Sequence, residues 1–334
     1  MANFPLVSVI VCTRDRPTDL ARLLLTILCQ SSPPIEVIVV DGSPVCSAQR
    51  VANLFASEFA SIDCRVKYIK DSAGSLPTAR TEGVKHSIGD FLLFVDDDTL
   101  LDRNVITALT TFLQSNPEAL IASPQVLDSK NSPRKDEVVK NILNSFRRLL
   151  MLSYLEENKM EVRRSGSCVF PSRITKTIAS QRVRGCCFCS KRQTFDGLQF
   201  DTNLKRWGYL EDLDFFYRVY RKNPKALYII PQAKIVHNRS VEARLPMKQT
   251  VYQKTIHWFY VFFKDIFGES ILNLIAFLWA LIGNLVITTG EFIFKRKPKE
   301  QWWEVLYLVK SYFYAFRHMS EIKKRDLDFF NKRL

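Results

Sequence analysis

Phe91-Leu92-Leu93-Phe94-Val95-Asp96-Asp97-Asp98 is the stretch that decides the fold. Five apolar residues followed at once by three carboxylates read as a strand buried on both faces. Its acidic end then opens into the crevice where open α/β sheets bind ligands. Side chains alternate along an extended chain, so Asp96 and Asp98 face one way and Asp97 the other. One pair can therefore share a divalent cation, for which carboxylate oxygens are suitable hard ligands.

The flanking sequence repeats the same alternation of strand and helix. Val7 to Cys12 is a β-branched run, and Asp15 to Gln30 carries leucines at helical spacing. Ile35 to Val40 and Val66 to Ile69 are two more buried strands. Pro77 to Lys85 and Asn104 to Asn116 read as helices on either side of the acidic strand, the second closed by Pro117. A doubly wound, mainly parallel sheet flanked by helices is thus expected over at least residues 5–125. Residues 128–180 are less regular, with one helical stretch near Val138 to Leu155. They read as an insertion over the carboxyl edge of the sheet, where an acceptor site could form.

The chain has 334 residues, 47% of them hydrophobic, and a formal charge of +14. That is enough to bury a large core, and the charge calls for an anionic partner. The basic residues are dispersed, without a recognition helix or zinc-finger spacing, so phosphate ligands and membrane are expected and nucleic acid is not. No charged segment followed by an apolar stretch opens the chain, so a cleavable signal peptide is not expected and the catalytic part is placed in the cytosol. The eight cysteines form no small-domain framework, and several lie in apolar runs, as reduced core thiols do. Cys186 and Cys189 form a Cys-x-x-Cys pair, but no second close pair accompanies them, as a zinc site would require.

Five short segments then occur in one order: Val9-Ile10-Val11-Cys12-Thr13-Arg14, Val37 to Ser43, Ala79-Arg80-Thr81-Glu82-Gly83, Val95 to Asp98, and Gly208-Tyr209-Leu210-Glu211-Asp212-Leu213-Asp214. Together they resemble family-2 glycosyltransferases of the GT-A fold, over about residues 5–240. The third motif departs from the usual pattern. Asp71-Ser72-Ala73-Gly74 stands where Asn-x-Gly is common, and Thr81 where Asn often follows Ala-Arg, which blurs the sugar identity but leaves the family intact.

Position by position, the resemblance implies a nucleotide-sugar site made by Thr13, Asp41, Arg80, Asp96 and Asp97, with a weak preference for a UDP-sugar. Thr13 and Asp41 would meet the base and ribose, Arg80 the nucleotide or its phosphates, and Asp96 the ribose. Thr13 capping the next helix, and Arg80 pairing with Glu82 or Asp71, stand as the structural alternatives. Asp98 and His237 would hold Mn²⁺ or Mg²⁺ against the diphosphate. Asp212 would take the proton of the acceptor hydroxyl while Glu211 orients the acceptor, giving one-step inversion. Arg239, Arg244 and Lys248 form a basic loop suited to covering the phosphates. Asp214 is assigned to the helix or its packing.

Residues 1–250 are read as the catalytic domain and 251–334 as a membrane-associated helical region. Ser270 to Gly290 contains no charged residue and is long enough to span a bilayer. Yet Asn273, Asn284, Thr288 and Glu291 recur near one helical face, which suits a helix lying in the interface equally well. From Lys295 onward eleven Lys and Arg stand against five Asp and Glu. That balance favours the cytoplasmic leaflet. The expected acceptor is lipid-linked or a cell-envelope glycan, and membrane lipids are expected partners. Apolar helices packed in a soluble homo-oligomer are the alternative. The rival functions are a polyprenyl- or dolichyl-phosphate sugar synthase and a catalytically silent, membrane-bound glycan-binding or scaffold subunit.

Overall fold

A computed structural model of the chain describes residues 5–128, 137–240, 242, 245–294 and 302–332. In chain order the elements begin β1 (Val7–Thr13), α1 (Pro17–Leu28), β2 (Glu36–Asp41), α2 (Ser47–Ala60), β3 (Arg65–Lys70), α3 (Leu76–His86), β4 (Phe91–Asp96), β5 (Thr99–Leu101), α4 (Val105–Ser115), β6 (Ile121–Asp128) and α5 (Glu137–Leu149). They continue through β7 (Tyr154–Glu156), β8 (Glu161–Val162), β9 (Cys168–Pro171), β10 (Ile178–Ala179), β11 (Cys187–Lys191), α6 (Glu211–Lys222), β12 (Leu227–His237), α7 (Met247–Val261), α8 (Ile271–Phe294), α9 (Trp302–Arg317), α10 (Met319–Lys323) and α11 (Asp328–Asn331).

The main sheet runs β10-β12-β6-β11-β4-β1-β2-β3, with β5 added on β12. β3, β2, β1 and β4 are all parallel, as are β6 and β12, while β11 runs antiparallel between β4 and β6. Alternation sorts the buried strands into two cores. Val9 and Val11 of β1 and Leu93 and Val95 of β4 pack with α1, α2 and α4. Ile10, Leu92 and Phe94 pack on the other face with α3 and α6. The mainly parallel, helix-flanked sheet expected from the sequence is therefore present. Strand order reverses at β1, and the register Cys12↔Asp96 and Thr13↔Asp41 brings the carboxyl ends of β1, β2 and β4 to one level. That is the switch point where such sheets take ligands.

Gly83 shows why α3 can lie so close to β1. A Cβ added there would come within 2.3 Å of Ile10 Cγ2, and Ile10 is fully buried. Gly83→Ala is expected to lower stability by about 1–3 kcal/mol through overpacking, seen as a lower denaturant midpoint with an unchanged slope. An unshifted midpoint would mean that the two elements separate freely.

Two of the elements read from the sequence have other bounds in the structure. The helix in the 128–180 insertion ends at Leu149, and Tyr154 already belongs to a strand. There β7, β9 and β8 form a separate three-stranded sheet. The helix carrying the acidic motif starts at Glu211 rather than at Phe215, so Glu211, Asp212 and Asp214 occupy its first turn.

The C-terminal helices share a core with the insertion and α6. Leu213 of α6, Leu204 and Cys168 pack with Ile256, Phe259, Phe262, Phe277 and Ala315. Gln253 donates to the Lys205 carbonyl and Trp258 to that of Ser165. Position 250 falls inside α7, so the sequence-level boundary cuts a helix rather than a linker.

Candidate active site

Asp96 ends β4 and Asp97 and Asp98 form the turn into β5, and the three aspartates still separate as the sequence predicts. One carboxylate oxygen each from Asp96 and Asp98 and a ring nitrogen of His237 lie within 4.8 Å of one another. His237 arrives from the end of β12, its Nε2 3.0 Å from Asp98 Oδ1. Asp97 turns away, accepting from Thr13 Oγ1 at 2.8 Å and Arg16 Nη1 at 3.0 Å. Thr13 is thus engaged with Asp97 and does not cap α1, whose N-cap is Arg16. Asp98 also accepts the Ser240 N–H at 2.8 Å.

Burial and pairing set the charge states. Burial pushes the Asp97 carboxyl up to about 7, with Arg16 and Thr13 opposing the rise. Burial raises Asp96 too, against the pull of Arg80. For Asp98 burial is outweighed by its bonds to His237 and Ser240, which hold it below the usual carboxylate range. His237 moves up to about 10, because its bond to Asp98 outweighs the burial that would lower it. Two hard carboxylates and an imidazole converging in a partly buried pocket fit a divalent cation, and the imidazole suits Mn²⁺ better than the all-oxygen preference of Mg²⁺.

Arg80 is the buried hub of the site. It pairs with Glu211, meets Asp96 at 3.2 Å and donates to the Gly185 carbonyl at 2.8 Å. Its carboxylate partners are therefore Glu211 and Asp96, not Glu82 or Asp71. Asp71 holds the loop before α3, accepting from the backbone N–H of Ala73 and Ser75 and from Thr78. Asp41 is fully buried. It accepts from Ser43 N–H at 2.8 Å and Tyr68 OH at 2.9 Å, and so holds the end of β2 while its neighbour Gly42 faces the cavity.

The first turn of α6 presents three carboxylates with three fates. Glu211 is buried on Arg80, with its Oε2 unpartnered; burial raises it to about 8, Arg80 pulls it down, and Asp212 and Asp96 add to the rise. Asp214 is fully buried between Arg218 and Lys264. Asp212 is the most accessible of the three, half-buried with its side chain 21% accessible, and its Oδ2 receives Arg182 and, at 3.2 Å, the Gly185 N–H. A helix N-terminus favours a carboxylate there. Gly185 is needed for this approach, since a Cβ would stand 2.9 Å from that of Asp212.

Two cavities meet at this point. One of about 600 Å³ is lined by Thr13, Gly42, Asp71, Asp97, Asp98 and Trp207; the other, of about 970 Å³, by Glu211, Asp212, Arg182, Phe170 and Trp258 among others. Asp96, His237, Trp207, Tyr209 and Arg239 line both. Volumes of this size suit small-molecule substrates. Arg239 of the expected basic loop thus faces the junction, Lys248 is exposed in the first turn of α7, and Arg244 lies outside the described residues.

Sequence reasoning passed over Arg16 and Arg182. Arg16 bonds Asp97, lies 3.5 Å from Asp98 and stacks over Trp207 at 4.8 Å. The available signal for Arg182 was Arg182-Val183-Arg184. Its alternation sends Val183 into the core, while both arginines lie over the Phe170 ring.

The glycosyl transferase family 2 model matches residues 8–179. The uncharacterized glycosyltransferase EpsJ of Bacillus subtilis is 31% identical over 113 residues, 34% of this chain and 31% of its own length. Glycosyltransferase GlyA of Streptococcus pneumoniae is 30% identical over 31% of this chain and 14% of its own length. The chain thus aligns with a third or less of these relatives. Among solved structures, S. aureus TarS 1-349 superposes with a TM-score of 0.53 at 17% identity, over 92% of this chain and 80% of that 1-349 chain. The mannosyltransferase PcManGT of Pyrobaculum calidifontis, in complex with GDP-Man and Mn²⁺, does so at 0.55 and 15%, over 92% and 86%. The acidic end of β4 beside the switch point, the shared architecture and the family match over half the chain make this protein a member of glycosyl transferase family 2, with the GT-A fold.

Proposed function

We propose that the chain transfers a sugar, with inversion, from a nucleotide-sugar to a lipid-linked or cell-envelope glycan acceptor at the cytosolic face of a membrane. The observation that carries the reaction is the meeting of the two cavities between Asp96, Asp98 and His237 on one side and Asp212 on the other. The donor occupies the smaller cavity, among Thr13, Asp97 and the loop held by Asp71. Arg80 ties Asp96 to Glu211 and so fixes the spacing of donor and acceptor groups. Asp98, Asp96 and His237 would hold Mn²⁺ or Mg²⁺, which would neutralise charge on the diphosphate as a Lewis acid. The acceptor oxygen bonds to C1 as the C1–O bond to the diphosphate breaks, and Asp212 receives the hydroxyl proton. The acceptor's approach opposite the leaving group inverts C1 without a covalent enzyme intermediate.

A panel of nucleotide-sugars titrated against the protein with Mn²⁺ tests the donor half. One donor is expected to bind and to release its nucleoside diphosphate slowly in water. Binding of none, with or without Mn²⁺, would support the silent-subunit reading instead.

Membrane attachment rests on the outer face of α8. Ile271, Ile275, Leu278, Ile282 and Val286 repeat at helical spacing and are exposed, while Ala276, Phe277, Ala280 and Leu281 are buried. The polar side chains of α8 are spent inside the protein: Asn273 bonds the carbonyls of Ile266 and Phe267, Asn284 the Tyr312 hydroxyl, and Glu291 pairs with Arg147. A helix fixed along one side and apolar along the other suits burial to the headgroup boundary better than a crossing. Phe146 and Leu149 of α5 and Phe313 and Phe316 of α9 add exposed apolar surface. The protein is expected to float with vesicles containing acidic lipid, and Ile275→Glu with Ile282→Glu to stay at the bottom of the gradient. Equal flotation of both proteins would rule out this face.

A further inference from the structure

Trp207 and Tyr209 stand where the two cavities meet, and the loop that carries them, Lys205 to Leu210, runs straight into the acidic first turn of α6. Its last residue, Leu210, has a φ of 65°, a left-handed conformation that is costly for a branched side chain. Leucine also offers no oxygen with which to cap α6. Such a turn persists only where its surroundings impose it. Two side chains of α7, one turn apart and so on one face, reach across to it. Gln253 Nε2 donates to the Lys205 carbonyl at 2.9 Å, and His257 Nδ1 lies 3.0 Å from the Tyr209 carbonyl oxygen. A carbonyl oxygen only accepts, so Nδ1 carries the hydrogen. His257 is fully buried, and its Nε2 has no hydrogen-bond partner among the described residues. Burial pushes the ring down to about 4 and so keeps it neutral. The Phe330 ring packs edge-on to it at 6.2 Å. Phenylalanine would fill that space without leaving a bare nitrogen in the core, so packing does not account for a histidine there. The bond to Tyr209 does.

We propose that Gln253 and His257 are positioning residues for the transfer reaction, Gln253 holding the donor-side end of the Lys205 to Leu210 loop and His257 the end that aims Glu211 and Asp212. This rests on the placing of donor and acceptor above and adds two residues of α7 to the same site. The Glu211 N–H bonds the Gly208 carbonyl at 2.7 Å and the Asp214 N–H the Leu210 carbonyl at 2.9 Å, so a fixed loop fixes the start of α6. Gln253 itself lines the smaller cavity, whereas His257 lines neither, and its influence on the chemistry runs through the loop. A carboxylate that takes a proton in the transition state must be held in place, because a displacement of about 1 Å can cost on the order of a hundredfold in rate. The helix α7, which the sequence assigns to the membrane region, thereby completes the catalytic part.

The test compares the full chain with His257→Phe, His257→Asn and His257→Gln. The side-chain amide of asparagine stands where Nδ1 does and can still donate to Tyr209, whereas that of glutamine stands at the place of Nε2. Hydrogen exchange, which needs no substrate, reads the amides of Glu211 and Asp214. In His257→Phe and His257→Gln they are expected to exchange roughly fivefold faster or more, as one lost hydrogen bond implies, and in His257→Asn at nearly the parent rate. Release of nucleoside diphosphate from the nucleotide-sugar selected with Mn²⁺ should fall about tenfold or more in the same two variants and recover in His257→Asn, with donor affinity within about twofold throughout. Gln253→Met should show the opposite split, a weaker donor and near-parent turnover once the donor is bound. The asparagine and glutamine variants decide the matter even where His257→Phe does not fold. Parent exchange rates in the variants, parent turnover with a loosened loop, or equal behaviour of His257→Asn and His257→Gln overturns the proposal. A parent that turns over no donor contradicts the transfer reading instead, and the exchange comparison still decides whether α7 holds the loop.

Discussion

Asp212→Asn is expected to leave nucleotide-sugar affinity near normal while turnover falls by roughly a hundredfold or more, the usual size of acid-base assistance. That corresponds to about 2.7 kcal/mol of barrier. Glu211 and Asp212 both line the larger cavity, but of the three carboxylates in the first turn of α6 Asp212 has the most accessible side chain. Asp214 is enclosed by Arg218 and Lys264, and Glu211 is committed to Arg80. Asparagine keeps the shape and can still accept the Leu213 N–H, 2.8 Å from Oδ1. It cannot take a proton at neutral pH. The substitution also leaves the buried Arg182 facing a neutral amide, so a modest loss of stability should accompany the kinetic effect, and thermal melts separate the two. Donor titration and single-turnover kinetics together make the measurement. If Asp212→Asn is fully active and Glu211→Gln is dead, the base is Glu211.

The parts of the fold that the sequence displayed are those whose burial is written locally. Phe91 to Val95 is apolar on both faces because its strand lies between two others and under two helical layers, and Val7 to Cys12 and Ile35 to Val40 read clearly for the same reason. The α2 helix escaped because only Ala48, Ala52 and Phe59 are buried while the apolar Leu54 is exposed, which blurs the helical stripe. The antiparallel direction of β11 is a property of what it pairs with, and its partners β4 and β6 lie far away in sequence.

The site divides in the same way. Alternation predicts that Asp96 and Asp98 share a side, and the structure brings them together although Asp97 and Asp98 belong to the turn after β4. The Arg80 partnership spans 131 residues to Glu211, and no local pattern specifies which of many acidic residues it meets. The resemblance could point to Arg80 as a residue of the site. Only the three-dimensional fold shows it lying between the Asp96 end of β4 and the first turn of α6. The two glycines are legible in retrospect as clearance rather than flexibility, Gly83 against Ile10 and Gly185 against Asp212.

Asp98→Ala should reduce nucleotide-sugar affinity in Mn²⁺ to the level seen in EDTA. The substitution removes a hard oxygen from a set of three and withdraws the partner of His237 Nε2 and the Ser240 N–H together. Loss of outer-shell partners alone typically costs 10–100-fold in metal affinity, so deletion of a ligand should cost at least that much. Asp98→Asn keeps one oxygen and should fall between the two proteins. Asp97→Asn is the contrasting control. Asp97 sits one residue earlier with the same chemistry, but its carboxylate is buried on Thr13 and Arg16 and lies outside the Asp96, Asp98 and His237 set. That variant should lose stability, because Arg16 keeps its charge among fewer partners, while the ratio of donor affinities with and without Mn²⁺ stays that of the parent. Calorimetric titration of the donor with Mn²⁺ and with EDTA gives both quantities. Parent protein that binds and transfers equally well in EDTA would remove the cation from the reaction and leave Asp98 as a partner for His237 alone.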